Sequence, residues 1–277
     1  GATARAAPGA RGGRAAAAVP VISFRVMVRA HSTGGGGLRP AMRLGRSLLL
    51  AGCWAGWLAA APAIASPAPG GHWMQLERRI ESAYFQQNAA ALQALAATLP
   101  ADDRVPAAQT PDEEWQSYYG ALLAYRLALL AKDDERQAWP YLEQCVERLN
   151  RALVIDPGSA EALALQSACF ALQARMDPWR SPLAAPLSRA RIDKALKLAP
   201  DDPRVLLLGA LAAQDRPRLF GGDAEQAFVL LQRAVAGFER QRGRPPGVPG
   251  WGAADAFTDL AQEYLWRGEA LAARNVL

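Results

Sequence analysis

Large apolar residues recur every three or four positions through most of the chain after residue 72, which is the period of helices with one buried face. Trp73, Leu76, Ile80 and Tyr84 form one such set, and Leu92, Leu95 and Leu99 form another, with Asn88 breaking them into two helices. A polar, proline-bearing linker covers residues 100 to 111. Pro111 followed by three acids then starts a helix that runs to about Lys132, because carboxylates complement the unpaired N–H groups of a first turn. Further helices are predicted over Ala138–Ile155, Ser159–Met176, Ser188–Leu198, Pro203–Gln214 and Asp223–Arg240, with one more pair to the end at Leu277. The segment Asp177–Pro182 with Pro186 reads as a stiff loop, as do residues 215–222 and 241–252, since proline and glycine interrupt the period. Asp202 and Asp223 stand where a helix cap belongs. No stretch alternates as a half-buried strand does, so the predicted class is all-α.

A finer pattern lies on top of the period. Small-x3-large-x2-Ala, the spacing of a close helix crossing, appears as Cys145, Leu149 and Ala152 before Pro157, and as Ser188, Ile192 and Ala195 before Pro200. It returns as Ala227, Leu231 and Ala234, and again as Ala273 and Leu277. A companion pattern on the preceding helices is carried by Phe257, Leu260, Ala261 and Tyr264, and by Val205, Leu208, Gly209 and Ala212. Leu163, Gln166, Ser167 and Phe170 also fit it, with Gln166 as a polar misfit. On the helix from Asp112, either Trp115 or Gly120 fits the register.

These positions resemble the tetratricopeptide repeat family, whose unit of about 34 residues is a pair of helices. The seam residues Cys145, Ser188, Ala227 and Ala273 lie 43, 39 and 46 positions apart, and the surplus falls in the proline and glycine segments between helices. The resemblance implies an α-solenoid of about five hairpins, with a divergent array over 111–277 and a looser pair with its linker over 66–110. It also implies that Asp255, Thr258, Gln262 and Trp266 face the concave groove, and that a peptide or protein segment binds there. The last pattern stops at Asn275-Val276-Leu277, as expected of a truncated reading frame or of a helix that a partner completes.

Charge changes the picture only after the chain is divided. The formal net charge is +5, but residues 1–65 hold eight arginines, no lysine and no acid, which leaves about −3 for the rest. The basic excess belongs to the leader and gives no argument for nucleic acid. Residues 1–41 are Ala/Gly/Arg-rich without a hydrophobic period and read as disordered, or as sequence upstream of a start at Met27 or Met42. Residues 42–65 read as a signal peptide: Arg43 and Arg46, an apolar run from Ser47 to Ala61, and a small-x-small site at Ala63-Ile64-Ala65. Export to a periplasm is expected. Leu50-Ala51-Gly52-Cys53 offers an alternative, an outer-membrane lipoprotein acylated at Cys53, and a membrane association is expected only in that case.

Candidate chemistry is sparse. His72 is the one histidine after the signal, no zinc, nucleophile-elbow or Walker spacing is present, and no cofactor is expected. The paired acids at 102–103, 133–134 and 201–202 stand at helix starts, where capping explains them. Catalysis is therefore not expected, although a buried cluster of carboxylates with displaced pKa values would revive it. Cys145 and Cys169 are candidates for a disulfide in an oxidising compartment, and equally for small seam residues. Candidate partner-binding residues are Trp115, Tyr118, Tyr125 and Arg126, Phe220 in its loop, and Gln262 and Trp266. The aromatic cluster also has a plain reading as core. The leading expectation is a non-catalytic scaffold of the bacterial envelope that holds a peptide or protein segment. A periplasmic accessory of a solute transporter with a small-ligand cavity is the alternative, because the Phe220-Gly221-Gly222-Asp223 segment is similar to such proteins. The oligomeric state is left open.

Overall fold

In the computed structural model the described residues are 71–100, 110–177, 179, 181–215, 222–242 and 249–277. The leader, the signal peptide with Cys53, most of the linker before Pro111 and Phe220 lie outside them. All ten elements among the described residues are helices: α1 Gly71–Phe85, α2 Ala89–Ala96, α3 Pro111–Leu130, α4 Glu135–Ile155, α5 Ala160–Met176, α6 Ser181–Leu198, α7 Pro203–Asp215, α8 Ala224–Gln241, α9 Ala253–Trp266 and α10 Ala270–Val276. The fold class is all-α.

The helix starts follow from side-chain oxygens that accept otherwise unpaired N–H groups. Asn88 accepts from Ala91 at α2, and Asp134 accepts from Arg136 and Gln137 at α4. Thr110 and Glu113 close a capping box at α3, with Pro111 at its first position. Asp202 accepts from Arg204 and Val205, and Asp223 from Glu225 and Gln226. Gly252 and Gly268 take φ of 89° and 80° before α9 and before α10, a conformation open to glycine at no steric cost.

Helix α6 departs from the expected boundary. It begins at Ser181 and contains Pro186, which the sequence reading assigned to a loop. Pro186 is only the sixth residue of the helix, so its missing N–H removes a single bond, to the carbonyl of Pro182, close to an end that already has free donors. Helix α4 carries Pro140 at the same position and likewise starts earlier than expected.

Consecutive helices pack as hairpins, α3 on α4, α5 on α6, α7 on α8 and α9 on α10. Each hairpin then packs on the next through α4 on α5, α6 on α7 and α8 on α9, and α5 touches both α3 and α7. Helices α1 and α2 precede the stack, both against α3. The seam residues are where the packing argument requires them: Cys145, Leu149, Ala152, Ile192, Ala195, Ala227, Leu231 and Ala234 are all buried. Ser188 meets Ser167, whose hydroxyl donates to the Ser188 carbonyl at 2.8 Å. The misfit Gln166 is buried too, its amide donating to Asn150 Oδ1 at 2.8 Å and so tying α5 to α4. A disulfide joins Cys145 of α4 to Cys169 of α5, with Cα atoms 6.5 Å apart. At Gly120 of α3 an added Cβ would collide with the Arg148 guanidinium of α4, so only glycine leaves room for that side chain. One apolar core runs under α1 to α7 and takes in Trp251, and a second lies under α7 to α9 around Leu206, Phe228, Leu231, Phe238 and Leu260.

Candidate functional site

The densest polar chemistry lies where the first helices of the hairpins converge. Glu161 is the second residue of α5, Arg204 the second of α7 and Asp255 the third of α9, so each stands in the first turn of the first helix of its hairpin. Helix α3 contributes Tyr118, Tyr119 and Arg126, helix α1 contributes Glu77 and Glu81, and the segment Pro249-Gly250-Trp251-Gly252 is inserted among them.

Two buried arginines organise this centre. Arg126, 2% exposed, forms a two-pronged pair with Asp255 at 2.6 and 3.0 Å and a second pair with Glu81 at 2.8 Å. Its guanidinium also lies 4.1 Å from the centre of the Tyr84 ring and 5.6 Å from that of Trp251. Arg204, fully buried, pairs with Glu161 at 2.9 Å and Asp202 at 3.0 Å, and donates to the Pro249 carbonyl and to Gln241. Its Nε has no hydrogen-bond partner among the described residues. Between the two, Trp251 donates through its indole N–H to the Tyr118 hydroxyl at 2.8 Å, and that hydroxyl donates to Glu161 at 3.1 Å. Tyr119 donates to Glu77 at 2.8 Å, and the other Glu77 oxygen accepts the Gly250 N–H, also at 2.8 Å. Helix α1, α3 and α7 thus hold the segment that leads into α9.

Burial dominates the electrostatics. It pushes Glu161 up to about 7 against the pull of Arg204, and raises Glu77 and Glu81 above the usual carboxylate range against their partners Tyr119 and Arg126. The Tyr118 and Tyr119 hydroxyls are pushed up in the same way, with Glu161 and Glu77 respectively adding to the shift. For Arg126 desolvation works against the charge, and Asp255 with Glu81 outweighs it. This is the buried, displaced set of carboxylates that would argue for acid–base work, but each of the three is held by an arginine, a tyrosine or a peptide N–H.

The candidate residues therefore separate. Tyr118, Tyr125 and Arg126 are all buried, as the core reading of the cluster requires; Trp251 reaches Tyr118, and Glu81 with Asp255 encloses Arg126. Trp115 is half-buried, its ring 5.8 Å from that of Tyr118 and 6.0 Å from that of Tyr119. Asp255 is taken by Arg126. Gln262 is exposed further along the same helix, and Trp266 is 66% exposed. Glu77, Glu161, Arg204 and Trp251 were not singled out from the sequence. The one signal for them is register, since charged residues recur at the second or third position of successive first helices, and Trp251 is an aromatic isolated between glycines.

An open cleft of about 570 Å³ lies elsewhere, between α1 and α2. One wall is the outward face of α1, where Gln75, Arg78, Arg79, Ser82 and Gln86 recur at helical spacing. Ala91, Ala94 and Leu95 of α2 form the other wall with Ala83, and the small alanines leave the gap. No carboxylate lines it. No helix among the described residues is long and apolar enough to cross a membrane.

Neither a protein-family model nor a curated protein matches the chain. Among solved structures, the fold is similar to that of the HusA haemophore from Porphyromonas gingivalis, with a TM-score of 0.57 and 20% sequence identity over 72% of this chain and 96% of that one.

Proposed function

We propose that the chain is a non-catalytic binding protein of the cell envelope, built as a clasped stack of tetratricopeptide-like hairpins, and that its cargo is a small amphipathic molecule. The observation that carries this reading is the burial of Trp251 and its neighbours against α1, α3 and α7. Arg204 and Glu77 bond to Pro249 and Gly250, Tyr118 accepts from Trp251, and Arg126 and Glu161 are paired beside them, so these side chains are already occupied and are not available to line a peptide groove. The open α1–α2 cleft, lined by donors on one side and apolar residues on the other, offers a concave site for such a cargo. The likeness of the fold to a haemophore supports the same reading and makes haem the first ligand to test. The sequence pattern of residues 42–65, which reads as a signal peptide, supports an envelope location.

The experiment is an absorbance titration of the purified chain with haem, following the Soret band. A saturating shift at one equivalent is expected. A spectrum that stays that of free haem, with no saturation, counts against a haem cargo.

A protein partner is the second reading, favoured by exposed apolar side chains at the start of α6 and in the turn before it. Trp179 is 93% exposed, and Leu183 and Leu187 follow it at one-turn spacing on α6. Crosslinking in intact cells followed by mass spectrometry would recover one dominant partner in that case, and the Trp179→Ala variant would lose it.

A further inference from the structure

We infer that the α1–α2 cleft is a binding site for an anionic group carried on an apolar body, such as a carboxylate or sulfonate on a flat hydrocarbon. This deepens the small-cargo reading above and rests on it. Helix α1 divides its charges by face. Glu77 and Glu81 turn inward to Tyr119, Gly250 and Arg126. The face toward the cleft carries only hydrogen-bond donors or groups that can donate: Gln75, Arg78, Arg79, Ser82 and Gln86. Arg78 and Arg79 are exposed and neither forms a salt bridge among the described residues, although the buried Glu77 on the other face of α1 feels the charge of Arg78.

Opposite them the wall is apolar. Ala83 and Leu95 are buried at its base, and Ala91 and Ala94 replace the large residues that would otherwise close the gap between two packed helices. A ligand that fits both walls has an apolar body against the alanines and an anion within reach of two guanidiniums, whose planar forks suit carboxylate and sulfonate oxygens. With no carboxylate in the lining, a cation or a neutral hydrocarbon would gain less there.

Two fluorescent probes separate the contributions, because 8-anilinonaphthalene-1-sulfonate carries an anion and N-phenyl-1-naphthylamine presents nearly the same apolar body without one. Titration of the full chain is expected to show the sulfonate binding at one site, about tenfold or more tighter than the neutral amine. The double variant Arg78→Ala/Arg79→Ala is expected to lose that margin, and Ala94→Trp to weaken the sulfonate by filling the cleft with both arginines intact. Both substitutions fall on exposed positions, and circular dichroism checks that the helices are retained. Equal affinity for the two probes, or sulfonate affinity unchanged in the double variant, overturns the site. Haem uptake that persists undiminished in the double variant also overturns the cleft as the cargo site while leaving the carrier reading standing. Sulfonate binding with the stated variant behaviour and no haem uptake keeps the cleft and removes haem.

Discussion

Arg126 and Arg204 stand in contrast to Arg78 and Arg79. The first two are almost wholly buried, each with two carboxylate partners, and Arg126 is further enclosed by aromatic rings. The second two lie on the outer face of α1, along an open cleft that contains no acid. One side-chain chemistry thus serves two ends, joining buried helices in one region and presenting solvated charge in the other, where Glu77 feels Arg78 but no salt bridge forms among the described residues. The difference lies in what the neighbouring helices bring within reach. A buried guanidinium holds its carboxylates because the alternative is an unpaired charge out of water, whereas a solvated one costs the fold nothing and remains free for a ligand.

The contrast can be broken first at Arg126. Arg126→Ala leaves Glu81 and Asp255 facing each other in a desolvated site, and a loss of about 3–5 kcal/mol in urea unfolding is expected. A change below about 1 kcal/mol would mean that the clasp is not what holds α9 to α1 and α3. Gly120→Ala comes next. The new methyl would meet the Arg148 guanidinium, and because that end of the side chain can shift, about 1–3 kcal/mol is expected by the same measurement.

A third test uses pH. Glu161 titrates near 7 in the folded chain against an ordinary 4.5, so between these values the folded state holds a proton that the unfolded state has released. Its contribution to stability is full below about 4.5 and is lost as pH rises through 7. Urea midpoints measured from pH 4.5 to 7.5 should therefore fall, with Glu77 and Glu81 adding in the same direction, and Glu161→Gln should make the fall shallower. A Glu161→Gln variant with the slope of the parent chain would contradict this. The smallest effect is expected at the outer face, where Arg78→Ala and Arg79→Ala should each change stability by no more than about 0.5 kcal/mol.

The helices, their caps and the seam between hairpins were legible because each is written locally. Asn88 separates α1 from α2, Asp202 and Asp223 cap their helices, and Ala152, Ala195 and Ala234 recur in step and are all buried. The start of α6 was misread because Pro186 was treated as a breaker, whereas so near a helix end it removes only one bond. The clasp was not legible, since its partners are 129 to 173 residues apart: Arg126 with Asp255, Tyr118 with Trp251, Glu77 with Gly250. No local spacing records such pairs. The aromatic cluster of α3 was visible, but whether it faced a groove or a core depended on Trp251, a residue inside a proline and glycine segment with no period of its own.

The most direct test of the clasp is amide hydrogen exchange at Gly250, whose N–H donates to Glu77 at 2.8 Å. If the 249–252 segment closes the array, that amide should be protected to nearly the same degree as the core of α3, and Arg126→Ala should release it. Exchange at the rate of an open loop in the parent chain would contradict the account, because the inner end of the stack would then be free to admit a partner.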